Sequence, residues 1–323
     1  TDELAAIVGA GASMGGIFAN HARTMNGTDS DAIREAIAVG EQAGAAIHFF
    51  HLNSTSSTEA DAFLSIIDAA RDRGLKITGD SYTYTWGITG LRDYIPAWAH
   101  DGGLEKLLER LRDPAERERI AATFVTEPPY FANIGWDRIR LGVDNPEVNG
   151  KLVSEVASLT ERTPEDVFMD VVLDQEGQGI VIDWNNEEDT LRQVLAQPYV
   201  AGGTDGSALD LDSENLPPLI HPRHIGTVPR LFGTYVREQG LLTWEEAIRK
   251  LTTLPASILG LKDRGTLAEG YLADIVIFDP ETIRDMATFA DPFHYPEGMR
   301  YVFVNGTAVV DEGQYTRALP GRA

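Results

Sequence analysis

Ile17-Phe18-Ala19-Asn20-His21 and Ile47-His48-Phe49-Phe50-His51 are two short apolar runs, each closed by a histidine. Between them, residues 30–43 place Ile33, Ala36, Ile37 and Val39 at helical spacing behind Ser30, a suitable N-cap, and Gly44 stops the helix. The cycle repeats with a helix predicted over 58–73, Gly74 as its stop and a strand from Leu75 to Asp80. Strand, helix, strand, helix with short Gly-marked joints is the pattern of parallel βα units. Right-handed crossovers then gather all the strand C-terminal ends on one face, so His21, His51 and the segment from Asp80 to Tyr84 are expected to share it.

Outward from this core, residues 2–13 read as a helix, and from about 91 to 195 the pattern loosens. Helical stretches near 103–121 and 164–176 alternate with strand-like runs at 138–143 and 179–184 and with loops containing Pro128-Pro129 and Asn145-Pro146. This reads as an inserted lobe. Tyr199-Val200-Ala201-Gly202-Gly203-Thr204-Asp205 restores a barrel-type strand ending in a carboxylate. A helix at 227–239 follows, then one at 243–251 with Thr243 and Glu246 as a capping box. Near the end, Asn305-Gly306 between two β-branched runs predicts a hairpin, so the last sixty or so residues read as a small β unit. The expected division is 1–90 barrel strands and helices, 91–198 lobe, 199–260 last barrel strand and helices, and 261–323 β unit.

The 323 residues suffice for a large core, and 43% apolar with 24% charged residues is the composition of a soluble globular protein. No run approaches the ~20 apolar residues of a membrane-spanning helix, so no membrane partner is expected. A formal charge of −23 opposes binding to a phosphate backbone, which excludes nucleic acid as the expected partner. With no cysteine there is no thiolate ligand or nucleophile, and the compartment stays undetermined. The chain opens at Thr1, read as a cleavage boundary.

A single strand-end histidine is ordinarily a packed or surface residue. Two of them, with Asp205 after a Gly-Gly-Thr turn, are the donors that a metal-dependent hydrolase on a parallel barrel needs. His48, three residues before His51, falls on the opposite face by alternation and reads as structural. Asp80 reads as a loop cap. Ile220-His221-Pro222-Arg223-His224 follows the Asp205 strand and overhangs the same mouth, where Arg223 has the geometry to grip a carboxylate. Tyr82 and Tyr84 alternate at a strand end, and a phenol there can donate to an oxyanion.

The stretches 15–23, 51–52, 66–71, 74–75, 82–85, 203–206, 221–223, 226–230, 245–252 and 263–280 resemble the N-acyl-D-amino-acid deacylases (D-aminoacylases) of the amidohydrolase superfamily. His-Pro-Arg at 221–223 and the tail are the specific parts. The resemblance implies an α/β fold: the C-terminal half of a TIM-like (β/α)8 barrel, with an inserted lobe and part of a small β-sandwich. It implies one or two zinc ions with His21, His51 and Asp205 as ligands. Asp205 would also be the acid/base that takes a proton from the attacking water and passes it to the leaving amine. Tyr84 would sit near the oxyanion, and Arg223, Asn53 and Tyr84 would line the substrate.

Two departures follow. Where the family carries a lysine two positions after the second metal histidine, this chain has Asn53, which opens the way to a different acyl amino acid or amide. The family's His-x-His pair and bridging cysteine are not in these residues, so a second polypeptide carrying the N-terminal half of the barrel is expected. Three other functions stay open: an N-terminal nucleophile hydrolase using Thr1, a non-catalytic scaffolding subunit, and a cyclic-amide hydrolase of hydantoinase type.

Overall fold

The computed structural model describes residues 2–22, 29–126 and 135–322. Thr1 and the Pro128-Pro129 loop fall outside the described residues. The chain divides into two compact units: 1–84, 187–211 and 222–323 form the first, and 85–186 with 212–221 form the second. The lobe expected over 91–198 therefore starts earlier, ends earlier and takes up a later segment.

In the first unit, α1 (Asp2–Ala12), β1 (Ile17–Asn20), α2 (Asp29–Ala43), β2 (Ala46–Phe49), α3 (Ser57–Asp72) and β3 (Ile77–Ser81) run in strict alternation. The four-stranded parallel sheet of this unit is ordered β1-β2-β3-β7, where β7 is Val200–Gly202. One face is apolar: Ile47, Phe49, Ile77 and Val200 are buried against Ile33 and Ile37 of α2 and Phe63, Leu64 and Ile67 of α3. At about 25 cal/mol per Å² of apolar surface, this face is what holds the helices to the sheet. The sheet is open, with β1 and β7 as edges, and Ile17 on β1 is 37% exposed.

Strands and helix starts differ in detail from the reading above. β1 and β2 end at Asn20 and Phe49, so His21 and His51 stand just past them. Helix α2 begins at Asp29, and Ser30 lies inside it, its N–H donating to Glu59 of α3. Helix α3 is capped by Ser56, whose hydroxyl accepts the Glu59 N–H.

The second unit contains β4 (Trp86–Gly90), α4 (Leu104–Arg112), α5 (Pro114–Thr126), β5 (Ile139–Gly142), α6 (Val153–Thr160), α7 (Pro164–Asp174) and β6 (Ile180–Trp184). Its three strands pair antiparallel in the order β4-β6-β5. The helix expected over 103–121 is two helices, because Pro114 cannot donate to a preceding turn and Asp113 caps the second by accepting from Ala115 and Glu116. Tyr94, Leu107, Leu111, Ile139, Phe168 and Val181 are among the fully buried residues of its own core.

Returning to the first unit, α8 (Glu188–Ala196) precedes β7, and α9 (Arg223–Arg230) runs into a π-helical segment at Leu231–Glu238 instead of the single helix expected at 227–239. Helix α10 (Trp244–Leu251) starts where Thr243 accepts the Glu246 N–H, and α11 (Thr253–Leu259) follows. The tail forms a second, antiparallel sheet of β8 (Ile275–Phe278), β9 (Met299–Val304), β10 (Thr307–Asp311) and β11 (Gln314–Tyr315), ordered β11-β10-β9-β8. Asn305 and Gly306, both left-handed (φ 50 and 79), make the turn that pairs Val304 with Thr307. No helix among the described residues is long and apolar enough to cross a membrane.

One buried charge ties α10 to the base of β7. Lys250 is fully buried and its Nζ donates to the carbonyls of Gln197 and Val200, the latter at 2.9 Å, with Glu246 at 3.8 Å. Burial pushes its ammonium down to about 8, against the opposing pull of Glu246. Because the folded value lies below the unfolded one, the unfolded chain holds the extra proton between about pH 8 and the ordinary lysine range, and stability contributed here rises with pH across that window. Lys250→Met should remove this rise, which melting curves of both proteins from pH 7 to 10.5 would check.

Candidate active site

The C-terminal ends of β1, β2, β3 and β7 carry the polar residues of the first unit. His21 and His51 meet ring to ring, with centroids 4.4 Å apart and planes at 76°. His51 reaches this position because its backbone is left-handed, φ 31, an uncommon conformation for a residue with a Cβ. Its N–H donates to Asp80 Oδ1 at 2.7 Å. Burial and the neighbouring His21 ring lower the His51 pKa, against smaller opposing effects that include the charges of Asp205 and Asp80. The ring is thereby kept in the neutral form that ligates metals.

Asp205 is also left-handed, φ 44, three residues past the end of β7. Its Oδ2 accepts from Arg223 Nη2 at 2.8 Å, and the Arg223 guanidinium lies 4.7 Å from the centre of the Tyr82 ring. The Arg223 side chain is 5% exposed and that of Asp205 42%. Asn53 donates its amide to Tyr82 Oη at 3.3 Å, and the Tyr82 ring lies 6.2 Å from that of His51. His51, Tyr82, Arg223, Asp205 and Asn53 are thus linked by direct contacts.

Tyr84 is placed differently. Its buried hydroxyl donates to Asp285 Oδ2, its ring meets Phe289 edge-on, and Arg230 lies over it. Burial, then the Asp285 charge, push the phenol well above its ordinary value. In this arrangement the proton that an oxyanion would use is directed at a carboxylate. Arg223, expected to face a substrate carboxylate, likewise has an internal carboxylate to answer it.

Four residues gain importance that the sequence did not advertise. His48 and Asp80 were read as structural and loop-capping, yet they bond to each other and Asp80 holds the His51 backbone. Asp285 lies 201 residues from its partner Tyr84 in sequence. His224 accepts the Ser207 N–H through Nδ1 at 2.8 Å, and burial lowers its pKa. Only the alternation of His48 with Ala46, and of Asp80 with Thr78, on the face opposite the helices hinted at the first pair.

Residues 200–310 match the model of the amidohydrolase family. Two proteins of Alcaligenes xylosoxydans xylosoxydans are similar along the chain: a D-aminoacylase, 29% identical over 100% of the chain and 57% of its own length, and an N-acyl-D-glutamate deacylase, 30% identical over 99% and 56%. Likeness to the D-aminoacylase group thus runs along the whole chain, and the amidohydrolase family model covers its residues 200–310. Among solved structures, the N-acyl-D-glutamate deacylase of Bordetella bronchiseptica, complexed with zinc and a phosphonate mimic of the tetrahedral intermediate, superposes with a TM-score of 0.74. It is 26% identical, over 98% of this chain and 59% of the deacylase. The amidohydrolase-type α/β fold follows from these matches. The chain spans little more than half the length of the curated relatives it matches.

For a zinc ion, the chain offers two imidazoles, His21 and His51, that already meet edge to face, the right donor chemistry for part of a site. Among the described residues, no group of three His, Asp or Glu side chains is arranged to hold a metal. Asp205, expected as a third ligand, is paired with Arg223 instead. The donors present fit half of a coordination set.

Proposed function

We propose that the chain forms the C-terminal part of a barrel-type, metal-dependent amide hydrolase that removes an N-acyl group from an amino acid, a D-amino acid among the candidates, or from a related amide. The observation that carries the reading is the pair His21 and His51, ring to ring, beside an acidic residue held at the end of the last parallel strand. His21 and His51 would hold zinc, and groups from outside these 323 residues, on a second polypeptide or on further sequence, would complete the set. Zinc so held would acidify water and polarise the amide carbonyl.

Asp205 takes the proton from the attacking water and returns it to the leaving nitrogen, a transfer its exposed carboxylate can make while Arg223 fixes its orientation. Arg223 can share its guanidinium with a carboxylate of the substrate, while Asn53 and Tyr82 supply a neutral amide and phenol. Tyr84 serves as an oxyanion donor only if its bond to Asp285 opens. The names of the relatives make N-acyl-D-amino acids, N-acyl-D-glutamate included, the first substrates to try, and Asn53 favours acyl amides with a less anionic head.

Chelation is the direct test. The purified protein, together with the groups that complete the metal set, should hydrolyse an N-acyl-D-amino acid, lose that activity on removal of metal, and recover it with zinc. Activity that survives exhaustive chelation would sink the metal reading. Hydrolysis of a hydantoin ring, with no acyclic amide cleaved, would move the chain to the cyclic-amide hydrolases.

A further inference from the structure

Asp80 touches both the His51 turn and the Gly203 turn that leads to Asp205. Its Oδ1 accepts the His51 N–H at 2.7 Å, and its Oδ2 accepts from His48 Nε2 at 3.0 Å. A carboxylate only accepts, so His48 Nε2 carries the proton of that bond, and Nδ1 lies 2.8 Å from Thr78 Oγ1. On its other side the carboxyl lies against Gly203, two residues before Asp205: a Cβ built there would come within 3.1 Å of the Asp80 Cγ and Oδ1. The Asp80 and His48 side chains are 19% and 9% exposed, so these bonds are shielded from competing water.

We infer that Asp80, anchored by His48 and Thr78, is the positioning residue that holds His51 in its left-handed conformation and so sets the His21–His51 pair. The backbone of His51 is uncommon for a non-glycine residue and persists only where its surroundings enforce it. A short bond from its own N–H to a fixed carboxylate is such an enforcement. The same carboxylate fills the space a side chain at 203 would need, which explains glycine there in front of Thr204-Asp205. This inference rests on the proposed reading of His21 and His51 as a metal pair, and it names the device that pre-sets them.

Two readouts on the full chain test it: zinc affinity by competition with a chromophoric chelator, and the nuclear Overhauser contact between the His21 and His51 rings in the metal-free protein. Asp80→Ala should lower zinc affinity about 10–100-fold and abolish the ring contact. Asp80→Asn should retain both, because its amide oxygen still accepts the His51 N–H. Its amide nitrogen would then donate to His48, leaving Nε2 without a proton, visible in the ¹⁵N spectrum. If Asp80→Ala does not fold, His48→Leu should weaken zinc binding and His48→Gln, whose Nε2 can replace that of the ring, should restore it.

Retention of the ring contact and of wild-type affinity in Asp80→Ala, or in His48→Leu if that variant decides, would overturn the assignment. A wild-type protein that takes up no zinc even with the groups that complete the coordination set present would instead remove the metal reading, leaving the ring contact to decide the role of Asp80.

Discussion

Asp205→Asn is expected to lower kcat/KM for amide hydrolysis by about 10²–10⁴-fold, the range for loss of a general acid–base group. Most of the loss should fall on kcat, since an amide cannot take or return the proton but can still meet substrate. The substitution is a clean one for the backbone: asparagine tolerates the left-handed conformation at φ 44 about as well as aspartate does. Its oxygen can also accept from Arg223, so the fold should survive. What is lost is the charge opposite a nearly buried guanidinium, about 1–2 kcal/mol once the 42% exposure of the Asp205 side chain is allowed for. Steady-state kinetics beside a urea titration separate the two effects. A variant that keeps wild-type kcat would reduce Asp205 to an ion-pair partner of Arg223.

Phe49→Ala should cost about 3–5 kcal/mol, the usual loss for emptying a phenyl site in a packed core. Phe49 is fully buried on β2, between His48 and His51, and belongs to the cluster that joins the parallel sheet to α2 and α3. The midpoint of urea unfolding should fall with little change in slope. A loss under about 1 kcal/mol would mean that this face is loosely packed and repacks around the hole.

The βα alternation was readable because apolar runs, helical spacing and glycine stops agreed with one another at Gly44 and Gly74. Local chemistry was equally plain at Thr243, which caps α10, and at Asn305-Gly306, which turns the terminal hairpin. That His21 and His51 stand near each other follows from adjacent parallel strands whose C-terminal ends lie side by side. What alternation could not foresee is His51 itself. A period of two holds only within a strand, and β2 stops at Phe49. The left-handed turn beyond it is set by a bond to Asp80, twenty-nine residues away. The Arg223–Asp205 pair and the Tyr84–Asp285 bond are likewise products of tertiary folding, and no spacing rule encodes them. The break at Pro114 was legible in principle, since proline at a helix start is common and inside one costly.

The two left-handed positions of the candidate site carry a consequence for how such a chain ages under mutation. His51 and Asp205 are the residues on which the proposed chemistry leans, and each holds a backbone conformation that glycine adopts at no steric cost. At His51 the contact with Asp80 is made by the main chain, so glycine would keep it while relieving the backbone. Folding therefore exerts no pressure to retain the imidazole, and relaxation of selection would erode it early. A homologous chain in which position 51 has become glycine while Phe49, Asp80 and Gly203 persist would mark a lineage that kept the scaffold after the reaction was abandoned.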